Sequence, residues 1–184
     1  MKTINQALIL KTAEQLIEKH GMKKTSLSQV AKQLGVSHAA LYKYFENKED
    51  LWTSLAFGWL RDILADVLQF DSNGYESKLD LLHDWLWILT ISKKRAYDSN
   101  KKMFTLYTTY IDNNPATLSE HTSELVATVS ELLGYSNIEV LKSVLEVFAV
   151  FSAPSFANTW DINLHERFEN VWNLIRPGLS ELLN

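Results

Sequence analysis

Cysteine is absent from these 184 residues, and with it go disulfides, thiol nucleophiles and Cys-rich zinc sites. Glycine is sparse, and the six glycines stand apart from one another, which removes the phosphate-cradling loops of nucleotide-binding proteins. No apolar run reaches transmembrane length. The first twenty residues are interrupted by polar residues at helical spacing, unlike the apolar stretch of a secretory signal. A cytoplasmic protein without a membrane span is the expectation. No Glu is followed three residues later by His, as a di-iron bundle requires, and no HExxH occurs. His20, His38, His83, His121 and His165 are scattered, and no local motif gathers Ser, His and Asp. No metal, cofactor or enzymatic activity is therefore expected. The last deficit is local: residues 1–50 contain no arginine, yet eight lysines against five acids give them a net charge of +3, while the remainder carries −7. A basic head on an acidic body suits a head that meets a polyanion.

With 46% apolar residues, the chain has enough to bury a sizeable core. Ile9, Ala13, Leu16 and Ile17 follow the i, i+4, i+7, i+8 spacing of one helix face, and Gly21 supplies a stop, predicting a first helix from about Thr3 to His20. Ser26 with Gln29 three residues on is a capping box, and Leu27, Val30, Ala31 and Leu34 form the stripe of a second, two-turn helix ended by Gly35. Ser37 is placed to cap a third short helix from His38, whose apolar pair is Leu41 and Phe45. Two short helices across a tight Gly-containing turn make a helix-turn-helix. Asn47 with Asp50 opens a fourth helix reaching about Phe70, broken by "DSNG" at 71–74. Further helical patterns cover about 75–93, 101–112, 116–133, 137–152 and 164–176. Nothing alternates like a strand. The expected fold is all-α: a helix-turn-helix head at 1–50, joined by the fourth helix to a helical body at 51–184.

In a helix-turn-helix the recognition helix enters the major groove with its N-terminal residues nearest the base edges. Leu41 and Phe45 must face the core, and Ala39 and Ala40 are small enough to let the backbone approach the bases. His38, Lys43 and Tyr44 remain to reach base edges. The Tyr42 hydroxyl suits a phosphate, as do Lys48 at the next helix start and the hydroxyls of Thr25, Ser26 and Ser37. The stretch "KKTSLSQVAKQLGVSHAALYKYFENKEDLW", Lys23 to Trp52, resembles the DNA-binding head of the tetracycline-repressor (TetR) family of bacterial regulators. The matching features are the hydroxyl pair before the second helix, "VA" and "LGVS" around the turn, "LYKYF" and "NKEDL". The resemblance implies phosphate contacts from Thr25, Ser37, Tyr42 and Lys48, with His38, Ala39, Ala40, Lys43 and Tyr44 near bases. It also implies DNA binding by the head, 1–50, effector binding and dimerisation by the body, 51–184, and a homodimer on a near-palindromic operator, released by a small ligand held in the body. The head departs from an ideal reader in lacking arginine, the residue best shaped for bidentate contact with guanine.

Residues 75–160 concentrate aromatics with polar handles, from which an apolar or aromatic effector is expected, with Trp85, Tyr107, Tyr110 and Phe148 as candidate pocket walls. His121, set between acids in "SEHTSE", is expected to face solvent. The "IEVLKSVLEVFAVF" segment is apolar on nearly every face, and Phe168, Val171, Trp172, Ile175, Leu179 and Leu182 continue as a stripe past Pro177. Such surfaces are buried either inside one subunit or against a second copy; the family resemblance favours the latter and implies Leu141, Leu145, Phe168, Val171, Trp172, Ile175 and Leu179 as the candidate dimer seam, a four-helix packing of two helices with their two-fold copies. The expected function is a ligand-responsive repressor with a double-stranded DNA operator as partner. The alternative is a helical protein-interaction module without sequence-specific DNA binding.

Overall fold

A computed structural model describes residues 4–183. Eleven α-helices account for most of them: α1 Gln6–His20, α2 Leu27–Leu34, α3 His38–Leu41, α4 Lys48–Ile63, α5 Ala65–Leu68, α6 Lys78–Ser99, α7 Lys101–Tyr107, α8 Pro115–Leu133, α9 Ile138–Val147, α10 Ala149–Ser152 and α11 Leu164–Leu183. A π-turn at Thr108–Asp112 follows α7, and there is no strand among the described residues. The chain folds as two compact units: residues to Asp62 with Asp98–Thr117, and Ile63–Tyr97 with Leu118 onward.

In the first unit α1 starts at Gln6 because the Asn5 side chain accepts the Leu8 N–H at 2.8 Å; the expected start at Thr3 lies outside the described residues. Ile9, Ala13 and Ile17 are fully buried on one face of α1, against which α2 and α7 pack. α2 carries the predicted capping box: the Ser26 backbone N–H donates to Gln29 Oε1 at 2.7 Å, and Gln29 N–H donates to Ser26 Oγ at 3.3 Å. Gly35 ends it at φ 70°, a left-handed cap that lets the chain turn at once into α3. Lys102 of α7 donates through Nζ to the Glu18 and Lys19 carbonyls, satisfying groups that the end of α1 leaves open.

The fourth helix is shorter than its apolar pattern predicts. It stops at Ile63, Leu64 leaves the helical region (φ −102°, ψ 14°), and a single turn, α5, carries on to Leu68. The last helix is longer than predicted and runs through Pro177 to Leu183. Proline removes the donor to the Asn173 carbonyl, but Asn173 is solvent-exposed, where water can take that bond.

The second unit has an aromatic core. Phe148, Phe151 and Phe168 are buried, with Phe168 ring centroids 5.0 Å from Phe148 and 5.6 Å from Phe151. The edges of His83 pack at 5.5 Å from Phe168 and 5.1 Å from Trp172. His83 also ties α6 to α11, its Nδ1 lying 2.8 Å from Asp84 and its Nε2 3.0 Å from Glu169.

Candidate nucleic-acid interface

The short recognition helix α3 is held from below by Leu41 and Phe45, which are 1% and 3% exposed. Everything else on it is available: Ser37, His38, Ala39, Tyr42, Lys43 and Tyr44 are exposed and Ala40 is half-buried. The His38 and Tyr42 rings, one turn apart, meet edge-to-face with centroids 5.2 Å apart.

Hydrogen-bond accounting divides the predicted DNA contacts into two groups. Thr25 is buried and its hydroxyl donates to the Gly21 carbonyl at 3.0 Å. The Ser26 hydroxyl is taken up in the capping box, 3.2 Å from Gln29 Oε1. The Tyr44 hydroxyl donates to the Ile4 carbonyl at 2.7 Å, fastening the end of the recognition segment to the chain ahead of α1. These three spend their donors inside the head. Ser37 does not cap α3 as its position predicts: at φ −73°, ψ 150° its hydroxyl makes no cap hydrogen bond. Among the described residues the side-chain polar groups of Ser37, Tyr42, Lys43 and Lys48 have no hydrogen-bond or ion-pair partner, so each faces outward with its side-chain donor unspent. The start of α4 is fixed behind them by a reciprocal cap, Asp50 N–H to Asn47 Oδ1 and Glu46 N–H to Asp50 Oδ2, both 2.8 Å.

The four predicted pocket residues do not lie in one unit. Tyr107 and Tyr110 belong to the first, Trp85 and Phe148 to the second. Tyr107 is buried against Trp59 and Phe104, and burial pushes its hydroxyl far above the usual tyrosine range. Trp85 is fully buried, its indole N–H donating to the Val67 carbonyl at 3.1 Å. Only Tyr110 of the four is half-exposed.

His121 is not solvent-facing, as its acidic neighbours predict, but buried at 5% exposure, with Nε2 3.3 Å from the Nζ of Lys93, itself 1% exposed. Burial first, and then the Lys93 charge, hold the imidazole well below its ordinary pKa, so it is neutral and accepts from the ammonium. Lys93 was legible: it stands four residues after Leu89 and eight after Trp85, on the buried stripe of α6 that ends at Ala96.

The predicted dimer residues face two ways. Leu141, Leu145, Phe168, Trp172 and Leu179 are buried within their own unit, while Val171 and Ile175 are half-buried. Beside them α9 and α11 leave an apolar groove of about 440 Å³, lined by Val140, Val144, Val147, Ile175, Leu179 and Leu182 among others.

Residues 9–55 match the family model described as bacterial regulatory proteins, tetR family. Forty-seven residues are 40% identical to the fatty acid metabolism regulator protein of Bacillus subtilis (strain 168), a match covering 26% of this chain and 24% of that protein. Over the whole length the fold resembles that of AlkX from Dietzia sp. strain DQ12-45-1b, a TetR family repressor implicated in biodegradation of n-alkanes, at TM-score 0.64 and 14% identity, covering 100% of both chains. It also resembles BioQ bound to its double-stranded DNA operator, at TM-score 0.59 and 15% identity, covering 93% of this chain and 97% of that one. No helix among the described residues is long and apolar enough to cross a membrane. Residues 9–55 thus match the DNA-binding head of the TetR family by sequence, and the whole length shares the fold of solved TetR family regulators.

Proposed function

We infer that the protein is a cytoplasmic, ligand-responsive repressor that binds a near-palindromic operator as a homodimer. The observation that carries this reading is the row of unspent donors on the recognition segment: Ser37, Tyr42, Lys43 and Lys48 all face outward from α3 and the start of α4. Ser37, Tyr42 and Lys48 hold phosphates, while His38 and Lys43 approach base edges over a backbone kept slim by Ala39 and Ala40. Thr25, Ser26 and Tyr44 serve the same contact from within, by fixing the helices that present it. The domain assignment that goes with this reading is DNA binding by residues 1–50, and effector binding and dimerisation by 51–184. Since the head has no arginine, affinity rests on lysines and neutral donors and is steeply salt dependent.

Release requires a ligand that binds the DNA-incompetent arrangement of the dimer more tightly, lowering operator affinity by that difference. An apolar or aromatic effector suits the aromatic core of the second unit around Trp85 and Phe148. The fatty-acid and n-alkane associations in the names of two relatives agree with it. The dimer seam is the α9–α11 face, where Val171, Ile175 and the exposed Leu182 remain open to a second copy.

Selection from a random duplex pool, followed by titration of the winning sites across a salt series, tests the reading. An enriched inverted repeat with half-sites about one helical turn (roughly 34–36 Å) or a multiple apart is expected. Tyr42→Phe with Lys48→Ala should weaken specific and random duplexes alike and lessen the salt slope, whereas His38 and Lys43 substitutions should alter the selected sequence. Recovery of no motif, with weak binding even at low salt, would favour a protein-interaction module instead.

A further inference from the structure

One cleft in the first unit belongs to neither the recognition helix nor the effector core. It has a volume of about 820 Å³ and is lined by Asn47, Lys48 and Glu49 on one side and by Thr109, Tyr110, Asn113, Asn114 and Pro115 on the other. The second wall is the π-turn and the corner that opens α8, and π-turns recur at functional positions.

Counting donors and acceptors gives the cleft a definite chemistry. Asn47 Oδ1 accepts the Asp50 N–H at 2.8 Å and Asn114 Oδ1 accepts the Ala116 N–H at 3.1 Å, so each amide has its Nδ2 left to offer. The Asn113 side chain, the Lys48 ammonium and the Tyr110 hydroxyl have no hydrogen-bond partner among the described residues. The Thr109 hydroxyl is spent on the Thr105 carbonyl at 2.8 Å. Five groups able to donate therefore border one cleft, opposed by a single carboxylate, Glu49. Burial first, and then the Glu49 charge, raise the Tyr110 hydroxyl pKa and keep it a donor. Multiple donors with one cation match an oxyanion that accepts on several oxygens.

We propose that this cleft seats a phosphate group, gripped by Lys48, Tyr110, Asn113 and the Nδ2 groups of Asn47 and Asn114. The group is either a phosphodiester of bound DNA or the phosphate of a small phosphomonoester that competes for Lys48; the DNA alternative rests on the regulator reading above, and the seat itself does not. Glu49 restrains the site: its carboxylate repels the anion, so neutralising it strengthens binding.

The test titrates the full-length 15N-labelled protein with inorganic phosphate at constant ionic strength, with chloride as control, and follows the backbone and Asn side-chain amides. Saturable shifts confined to residues 47–49 and 109–115 are expected, at least fivefold weaker in the neutral double variant Tyr110→Phe/Asn113→Ala and severalfold stronger in Glu49→Gln. Duplex binding is then measured for the same proteins without phosphate. Parallel weakening of specific and random duplexes in the double variant assigns the seat to the DNA backbone. Unchanged duplex binding that added phosphomonoester displaces in wild type, but less in the double variant, assigns it to the small molecule. Absence of localised phosphate shifts, or equal phosphate affinity in all three proteins, overturns the proposal. A wild type that binds phosphate at the cleft but no duplex at any salt would instead overturn the regulator reading and leave the seat standing.

Discussion

At the scale of single residues, the sharpest feature is a base and a cation sharing a buried site. Lys93 donates to His121 only while Nε2 is unprotonated, and burial and the lysine charge both oppose a second positive charge there. In the unfolded chain the imidazole titrates near its ordinary 6.5. Below that pH the unfolded state holds more protons than the folded one, so this histidine leaves stability intact above 6.5 and erodes it as the pH falls. The slope approaches about 1.4 kcal/mol per pH unit for one such group. Denaturant unfolding at pH 7, 6 and 5 should show wild type losing stability more steeply than His121→Gln, and equal slopes would falsify the neutral, buried assignment. Sequence reasoning missed this pair for a physical reason: charge and acidic neighbours speak for solvent, and only the phase of α6 places Lys93 inward. The same reasoning found Trp85 and Phe148 as large aromatics but could not tell a pocket wall from filled core, because both want the same side chains.

At the scale of elements, the head is specified by local chemistry to a degree the body is not. Ser26, Gln29 and Gly35 each satisfy a particular backbone group, so α2 could be bounded to the residue before any tertiary contact was known. Ser26→Ala removes the acceptor for the Gln29 N–H and the hydroxyl that donates to Gln29 Oε1, leaving the residue-26 backbone N–H as the partner of that side chain. It should cost about 1 kcal/mol, read as a lower denaturant midpoint at unchanged slope. Because α2 supports α3, the operator should dissociate faster from this variant while its selected sequence stays the same, which separates support from readout. An altered sequence preference would place Ser26 in direct contact with DNA. Elsewhere the local signals were weaker than the packing. Leu64 interrupts a helix without a Gly or Pro to announce it, and α11 passes Pro177 because the carbonyl that proline deprives is exposed. Neither outcome is written in spacing alone.

For the whole molecule, the question is how a head with a charge of +3 on a chain of −4 holds a polyanion. Two heads acting together multiply a modest affinity, since the second half-site is met at high effective concentration once the first is bound. Dimerisation then becomes the condition for tight binding, and the seam matters as much as the recognition helix. The seam proposed for α9 and α11 rests on their apolar spacing and the family resemblance. Leu141, Phe168 and Trp172 have the right residue type but point into their own unit, whereas Ile175 and Leu182, on the adjoining stripe, line the open groove. A second copy laid along that groove covers Val147 and Leu182, which are 44% and 49% exposed in the single chain. Ile175→Lys with Leu182→Lys sets like charges across the two-fold and leaves the buried residues of each unit untouched. Sedimentation equilibrium should then show monomer, against the dimer proposed for wild type, with the helical content retained. Operator affinity should fall by tenfold or more while binding to an isolated half-site stays near the wild-type value. A double variant that still sediments as a dimer would move the seam to another face. One that is monomeric yet binds the full operator as tightly as wild type would show that the heads act singly, and a near-palindromic site would then lose its physical reason.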